Sequence, residues 1–295
     1  MAPVVFLASA PHELAGRGTA RHRGPSLVLT LKALAILPRM ARIAVIGLGE
    51  AGAAIARDLC GAGASVVGFD PAVARLDRLE VAGSAPDAVR GAEVVLSVNA
   101  ASVAVAVAES VASALDRDAV FADLNTSSPG AKRAVAAAVA PAGARFADVA
   151  LMAPVAGRGL RTPALASGPG AERFAEVVGG LGMPVTAIGR EPGDAAARKL
   201  ARSVFMKGLA AAIGEALDAA DRLGARDDLY DDIAATLTDA DAGLLERLVD
   251  GSVRHAPRRA DEMAAARAML EELGVAPRIA GASEAWLRSL AAADE

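Results

Sequence analysis

Short apolar runs and amphipathic stretches alternate along residues 41–190, and the alternation stops abruptly after that. The runs Ala41 to Ile46, Ala64 to Phe69, Glu93 to Val98, Ala119 to Asp123 and Arg145 to Leu151 have the length and composition of buried strands. Between them, Ala51 to Cys60, Ala72 to Leu79, Pro86 to Arg90, Ser102 to Leu115 and Pro129 to Val139 read as helices. Pro163 to Ser167, a helix over Ala171 to Leu181 and a strand over Val185 to Ile188 complete the series. The pattern predicts an α/β fold, a Rossmann-type doubly wound and largely parallel sheet with helices on both faces. Beyond Gly189 the strands cease. Ala195 to Leu223 reads as one long helix broken only by Gly208 and Gly214 and ended by Gly224. Asp228 to Leu237, Ala240 to Val249, Arg258 to Leu273 and Pro277 to Ala293 follow as further helices. The expected organisation is therefore a nucleotide-binding domain over 40–190 and an all-helical substrate and dimerisation domain over 191–295.

Residues 1–39 do not join this pattern. They carry five basic residues, Arg17, Arg21, Arg23, Lys32 and Arg39, against the single acid Glu13. The apolar run Leu27 to Leu37 contains Lys32 and is short of the roughly 20 residues that span a bilayer. The segment is expected to be a disordered extension or a mis-assigned start ahead of Met40, with a basic targeting peptide as the alternative.

The first strand runs directly into Gly47-Leu48-Gly49-Glu50-Ala51-Gly52, which opens the first helix. In a strand, glycine turn and helix of this kind, Gly47 permits the bend and Gly49 lets the backbone approach a pyrophosphate. Gly52 lets helix and strand pack closely, and the helix N-terminus faces the phosphate charge. The second strand ends in Asp70, 18 residues past Gly52, where a carboxylate can accept the ribose hydroxyls. A carboxylate there repels a 2′-phosphate, so NAD is favoured over NADP. Arg75 and Arg78, close behind, could reach a phosphate or could lie on a solvated helix face.

Composition narrows the field further. With 54% apolar and 22% charged residues the chain reads as globular, and a net charge of -4 argues against a polyanion-binding surface. Aromatics make up only 3%, which disfavours stacking on nucleic-acid bases. Cys60 is the single cysteine, so no intrachain disulfide forms, and only His255 of the three histidines follows the first strand. A zinc site of Cys and His is thereby excluded. No metal, membrane or nucleic-acid partner is expected, and the location is expected to be cytoplasmic.

Hydride transfer to or from a carbonyl needs a nearby proton donor or acceptor. The Tyr-x-x-x-Lys pair of short-chain reductases is missing, because the only tyrosine is Tyr230 and Ala234 stands four residues on. His255, a carboxylate or a lysine remains. Of 31 basic residues only Lys32, Lys132, Lys199 and Lys207 are lysine. Arginine cannot shuttle protons near neutral pH, whereas a desolvated lysine can. Lys132 reads as the start of a surface helix. Lys199 lies on the first turns of the long helix with Ser203 on the same face, and it is either the proton shuttle or a solvated neighbour of Arg198 and Arg202.

At these residues the chain, from about residue 41 to 210, resembles the β-hydroxyacid dehydrogenase and 6-phosphogluconate dehydrogenase-like superfamily, which includes 3-hydroxyisobutyrate dehydrogenase-like proteins. Three motifs follow the glycine fingerprint: Asp123-Leu124-Asn125-Thr126-Ser127-Ser128-Pro129, Ala153-Pro154-Val155-Ala156-Gly157-Arg158, and the helix from Gly193 through Lys199 to Ser203. The resemblance implies that Lys199 is the general acid or base, that residues near Thr126 and Gly157 hold substrate, and that Asn99 borders the nicotinamide ribose. The chain departs from the family pattern at Ala156 in place of a loop serine, Arg158 in place of a glycine, Ala195 in place of a glycine and Ser203 in place of an asparagine. These losses argue against the usual small hydroxy acids, while Arg158 offers a bidentate site for a carboxylate or phosphate, or is a solvated loop residue. Arg254 to Met263 resembles an uncharacterised helical domain found attached to such NAD-binding domains. His255 reads as a substrate ligand, a helix cap or a surface residue.

The expected activity is an NAD(P)-dependent oxidoreductase acting on a hydroxyl-bearing, anionic small molecule. The alternatives are an imine reductase-like enzyme and a non-catalytic NAD(P)-binding regulator. A homodimer is expected through the Ala- and Gly-rich face of the long helix.

Overall fold

The computed structural model describes residues 40–293; the extension over 1–39 lies outside the described residues. Strands β1 (Arg42–Ile46), β2 (Ser65–Phe69), β3 (Glu80–Val81), β4 (Val94–Ser97), β5 (Val120–Asp123), β6 (Arg145–Leu151), β7 (Ala164–Ser167) and β8 (Val185–Gly189) form one sheet in the order β3-β2-β1-β4-β5-β6-β7-β8. Every neighbouring pair is parallel except β6 with β7. The strand order reverses between β1 and β4, and sheets of this kind bind ligands outside the carboxyl ends of the strands at that point.

Helices cover both faces. Helices α1 (Glu50–Gly61) and α5 (Ala171–Gly180) lie on one side, where Ile55, Leu59, Phe174 and Val178 pack with Ile43, Val45, Leu96 and Val149. On the other, α2 (Ala85–Val89), α3 (Ala104–Ala112) and α4 (Pro129–Val139) pack Val89, Ala108, Val111 and Val135 against Ile46, Val95, Phe121 and Phe146. Ile43, Val45, Leu96 and Phe121 are each 0% exposed. Full burial of such side chains contributes roughly 1.5–3 kcal/mol each, so both sheet faces are strongly held.

The expected alternation is found with two corrections. Residues 72–79 are not a helix: the chain makes turns there, with Arg78 at φ 62°, and then adds the edge strand β3 beside β2. Asp70 explains the start, because its carboxylate accepts the Ala72 N–H at 2.8 Å and holds a turn after Pro71. Pairing of Glu80 and Val81 with β2 then satisfies backbone groups that a helix ending at residue 79 would leave to solvent. Arg75 and Arg78 therefore share no helix face. The second correction concerns Lys132, which is 1% exposed rather than on a surface helix.

The C-terminal half is helical, as the pattern predicts. Helix α6 (Asp194–Leu223) is 30 residues and about 45 Å long, and α7 (Arg226–Thr238), α8 (Ala242–Arg254), α9 (Ala256–Glu272) and α10 (Arg278–Ala293) follow. Its far end is fastened to α10 by Glu215, whose carboxylate accepts the N–H groups of Ile279 and Ala280 at 2.8 Å each. Its near end sits on the sheet domain, where Gly193 at φ 107° leaves no room for a Cβ, which would stand 2.9 Å from Pro129. Among the described residues no helix is long and apolar enough to cross a membrane.

Candidate functional site

The glycine turn has the geometry that a dinucleotide requires. Gly47 sits at φ 100°, and a Cβ there would lie 2.1 Å from the carbonyl oxygen of Val98. A Cβ on Gly52 would lie 1.9 Å from the carbonyl oxygen of Gly47, whereas one on Gly49 would meet nothing within 4 Å. So two glycines are demanded by packing, and the third faces open space at the head of α1. Gly49 caps that helix without a side-chain hydrogen bond, which leaves first-turn N–H groups for an anion. Asp70 accepts the Leu48 N–H at 2.9 Å, so the carboxylate at the end of β2 is locked to the turn.

A cavity of 720 Å³ opens here, lined by Gly47, Gly49, Glu50, Ala51, Gly52, Asp70 and Asn99. The residues fit a dinucleotide: room where Gly49 lacks a side chain, free helix N-terminal amides, and a carboxylate with lone pairs left for ribose hydroxyls. Leu48 lies on the opposite side of the turn, where it lines a second cavity together with Gly49 and Glu50.

Asn99 links this cavity to a polar centre at the strand ends. Its N–H donates to Asn125 Oδ1 at 2.7 Å, and Asn125 Nδ2 donates back to Asn99 Oδ1 at 3.0 Å. The next residue, Thr126, accepts a 2.8 Å hydrogen bond at Oγ1 from Lys199 Nζ. Thr126 is placed by the turn into α4, where Ser128 caps the helix by accepting the Ala131 N–H and Pro129 occupies its first position. Lys199 is half-buried on the second turn of α6. Burial pushes its ammonium below the ordinary lysine value; Lys132 and Lys207 push the same way and Asp148 opposes them. An amine in that state, bonded to a hydroxyl and open to solvent on one side, can give or take a proton.

Residues 42–168 match the NAD binding domain of 6-phosphogluconate dehydrogenase, and residues 220–290 match a domain of unknown function, DUF1932. A conserved hypothetical protein from Sinorhizobium meliloti is 31% identical, with 86% of this chain and 90% of that one covered and a TM-score of 0.59. The conserved protein MTH1747, whose structure is described as similar to 3-hydroxyacid dehydrogenases, is 29% identical, covering 84% of this chain and 96% of that one, with a TM-score of 0.59.

The chain therefore carries an NAD binding domain of the 6-phosphogluconate dehydrogenase kind followed by a DUF1932 domain, and it belongs with the conserved hypothetical protein of Sinorhizobium meliloti. Its fold is shared with the imine reductase of Streptomyces aurantiacus, which is 19% identical with a TM-score of 0.73 over 85% of this chain and 95% of that one. The "Uncharacterized 28.5 kDa protein in 7S RNA 5'region" of Methanothermus fervidus is 27% identical over 144 residues, and this chain spans only 55% of its length. The protein thus has an NAD-binding, dehydrogenase-like fold, similar in structure to a protein that resembles 3-hydroxyacid dehydrogenases and to an imine reductase.

Within this family framework the substrate residues expected from the sequence do not all meet. Thr126 and Lys199 line one small cavity with Asn125, Ser127, Lys132, Asp148 and Ala196. Ala156, Gly157 and Arg158 instead line the 740 Å³ cavity on the far side of the glycine turn, with Arg57, Arg161 and Glu50. That loop is pinned to α1 by the Leu160 N–H, which donates to Asp58 Oδ2 at 2.8 Å. Ser203 is half-buried one turn beyond Lys199, and His255 is exposed at the junction of α8 and α9. Neither lines the cavities around Thr126 or the glycine turn.

Reading of the sequence missed Asp148 and Ser167 altogether and misplaced Lys132. Asp148 carried a signal, being a lone charge within the apolar strand Phe146-Ala147-Asp148-Val149-Ala150-Leu151. A buried charge in such a strand requires a partner.

Proposed function

We propose that the protein is an NAD(H)-dependent oxidoreductase acting on a hydroxyl-bearing or carbonyl-bearing, anionic organic substrate, with Lys199 as the group that exchanges the proton. The observation that carries this reading is the contact of Lys199 Nζ with Thr126 Oγ1 at 2.8 Å, beside the Asn125 and Asn99 pair that leads into the dinucleotide cavity. Bound nicotinamide supplies the hydride chemistry. Gly49 and the free first-turn amides of α1 would hold the pyrophosphate, with Gly47 and Gly52 shaping the turn, Asp70 would receive the ribose and Asn99 would border the reactive end. Thr126 orients both the lysine and the reacting oxygen, and Lys199 holds a proton at Nζ for the alkoxide that forms on reduction.

An imine-reducing activity would use the same lysine against nitrogen. A turnover screen following NADH absorbance with hydroxy acids, sugar acids, phosphonates and cyclic imines separates these readings. Turnover confined to imines would overturn the hydroxyl assignment, and tight NADH binding without turnover of any class would favour a regulatory protein.

A further inference from the structure

Beneath Thr126 and Lys199 lies a buried ionic cluster that the proton-exchange reading leaves unused. Strand register sets Asp123 and Asp148 directly opposite each other on β5 and β6, and both are 0% exposed. Like charges in that relation repel and lie out of water, so alone they would destabilise the sheet. Lys132 answers them from α4. Its Nζ lies 2.9 Å from Asp123 Oδ2, 3.1 Å from Asp148 Oδ1 and 2.7 Å from the carbonyl oxygen of Asp123. All three ammonium protons are thereby used.

Each carboxylate then reaches a different part of the site. Asp123 Oδ1 accepts the N–H and the side-chain amide of Asn125, which in turn holds Asn99 at the dinucleotide cavity. Asp148 Oδ2 accepts the Ala196 N–H at 2.8 Å, in the first turn of α6 and three residues before Lys199. Ser167 Oγ donates to the same carboxylate oxygen at 3.4 Å and accepts the Ala195 N–H at 3.0 Å. A buried ion cluster is weak evidence for stability, because well-packed apolar residues of the same volume usually do as well. Its two arms are better explained by what they hold.

We propose that Lys132 is a positioning residue for the reaction: through Asp123 and Asp148 it joins the loop facing the cofactor to the helical turn that carries Lys199. The inference rests on Lys199 being the proton-exchanging group. It assigns the cluster two tasks, fixing the separation between Asn99 and Lys199 and setting the field at the lysine amine. The cluster carries one net negative charge. Within that field Asp148 favours the ammonium form of Lys199, while Lys132 and, from α6 itself, Lys207 disfavour it.

The test reads the lysine directly. With only Lys32, Lys132, Lys199 and Lys207 in the chain, competitive labelling of the full protein by acetic anhydride over a pH series, followed by peptide mass measurement, gives the midpoint for Lys199. In Asp148→Asn, where an amide oxygen can still accept from Ala196, the midpoint falls by about one unit. In Lys132→Met it rises. Opposite displacements are not what a purely structural cluster would produce. Unchanged midpoints, or displacements in the same direction in two folded variants, would overturn the proposal. If Lys132→Met fails to fold, Asp148→Asn alone decides it; failure of both to fold assigns the cluster to stability and also overturns it. Labelling needs no substrate, so it stands apart from the turnover of Lys199→Met, which tests the parent reading.

Discussion

The two halves of this molecule bury their apolar residues very differently. In the sheet half, both faces are covered and the strand residues Ile43, Val45, Leu96 and Phe121 are wholly buried. In the helical half, the buried apolar cluster is small, centred on Ala219, Leu270 and Ala280. Among the described residues, the large apolar side chains that stand exposed, apart from Met40 and Val103, fall beyond residue 200, among them Val204, Phe205, Leu248 and Trp286. A sheet with helices on both sides completes its own core. The helices that follow the long one do not, and large contiguous apolar surfaces mark interaction sites. We propose that a second copy of the chain covers the exposed side chains, centred on Val204, Phe205 and Met206. Under the proposed function the division also separates tasks: the self-sufficient half holds the cofactor, and the uncovered half delivers Lys199.

The largest contrast is expected in stability. Phe121→Ala should cost about 3–5 kcal/mol, while Phe205→Ala, at a position 61% exposed, should cost under about 1 kcal/mol in a denaturant titration of the monomer. Equal losses would end the distinction between the halves. Next in size, Lys199→Met should lower turnover by about 100-fold or more with little change in NADH affinity, and Lys207→Met should do much less. A Lys199 variant that loses NADH binding as well would show that the halves do not divide binding from chemistry.

The pH profile sharpens the same point. Because burial holds Lys199 below the ordinary lysine value of 10.5, it loses its proton at a lower pH than a solvated lysine. Reduction, which consumes the proton, should fall as pH rises through that point, and oxidation, which needs the free amine, should rise. The limb should vanish in Lys199→Met. Self-association gives a further check: sedimentation at micromolar concentration should report a dimer, and Phe205→Asp should shift it toward monomer without altering NADH affinity. A monomeric wild-type chain would leave the exposed helical surface without the partner proposed here. The smallest effect is a preference for NADH over NADPH of about tenfold by titration, reduced in Asp70→Ala, since a carboxylate at the ribose repels a 2′-phosphate.

The order of strands and helices was legible in the chain because period and punctuation are local. Pro129 with Ser128 before it, and Gly224 after Leu223, mark helix ends within a turn of where they fall. The glycine fingerprint was legible for the same reason: a Cβ at Gly47 or Gly52 would collide with atoms whose positions follow from one strand-turn-helix unit and its neighbour. Residues 72–79 misled because their apolar spacing suits a short helix, while the decision lay with Asp70 and with an edge of β2 that was free to pair.

What the sequence by itself determined is thus the fold and the nucleotide turn, from residues near in the chain, while the scarcity of lysine made Lys199 a candidate and left it open between a proton shuttle and a solvated side chain. Tertiary structure alone decided the surroundings of that lysine. Lys132 looks solvated in its own segment, and only the register that sets Asp123 beside Asp148 makes its burial favourable. Likewise Arg158 and Lys199 belong to neighbouring motifs, yet the Asp58 clamp on Leu160 holds the arginine's loop at a separate cavity. Electrostatics acts through space, and the distances that govern it arise when strands and helices far apart in sequence come to rest against one another.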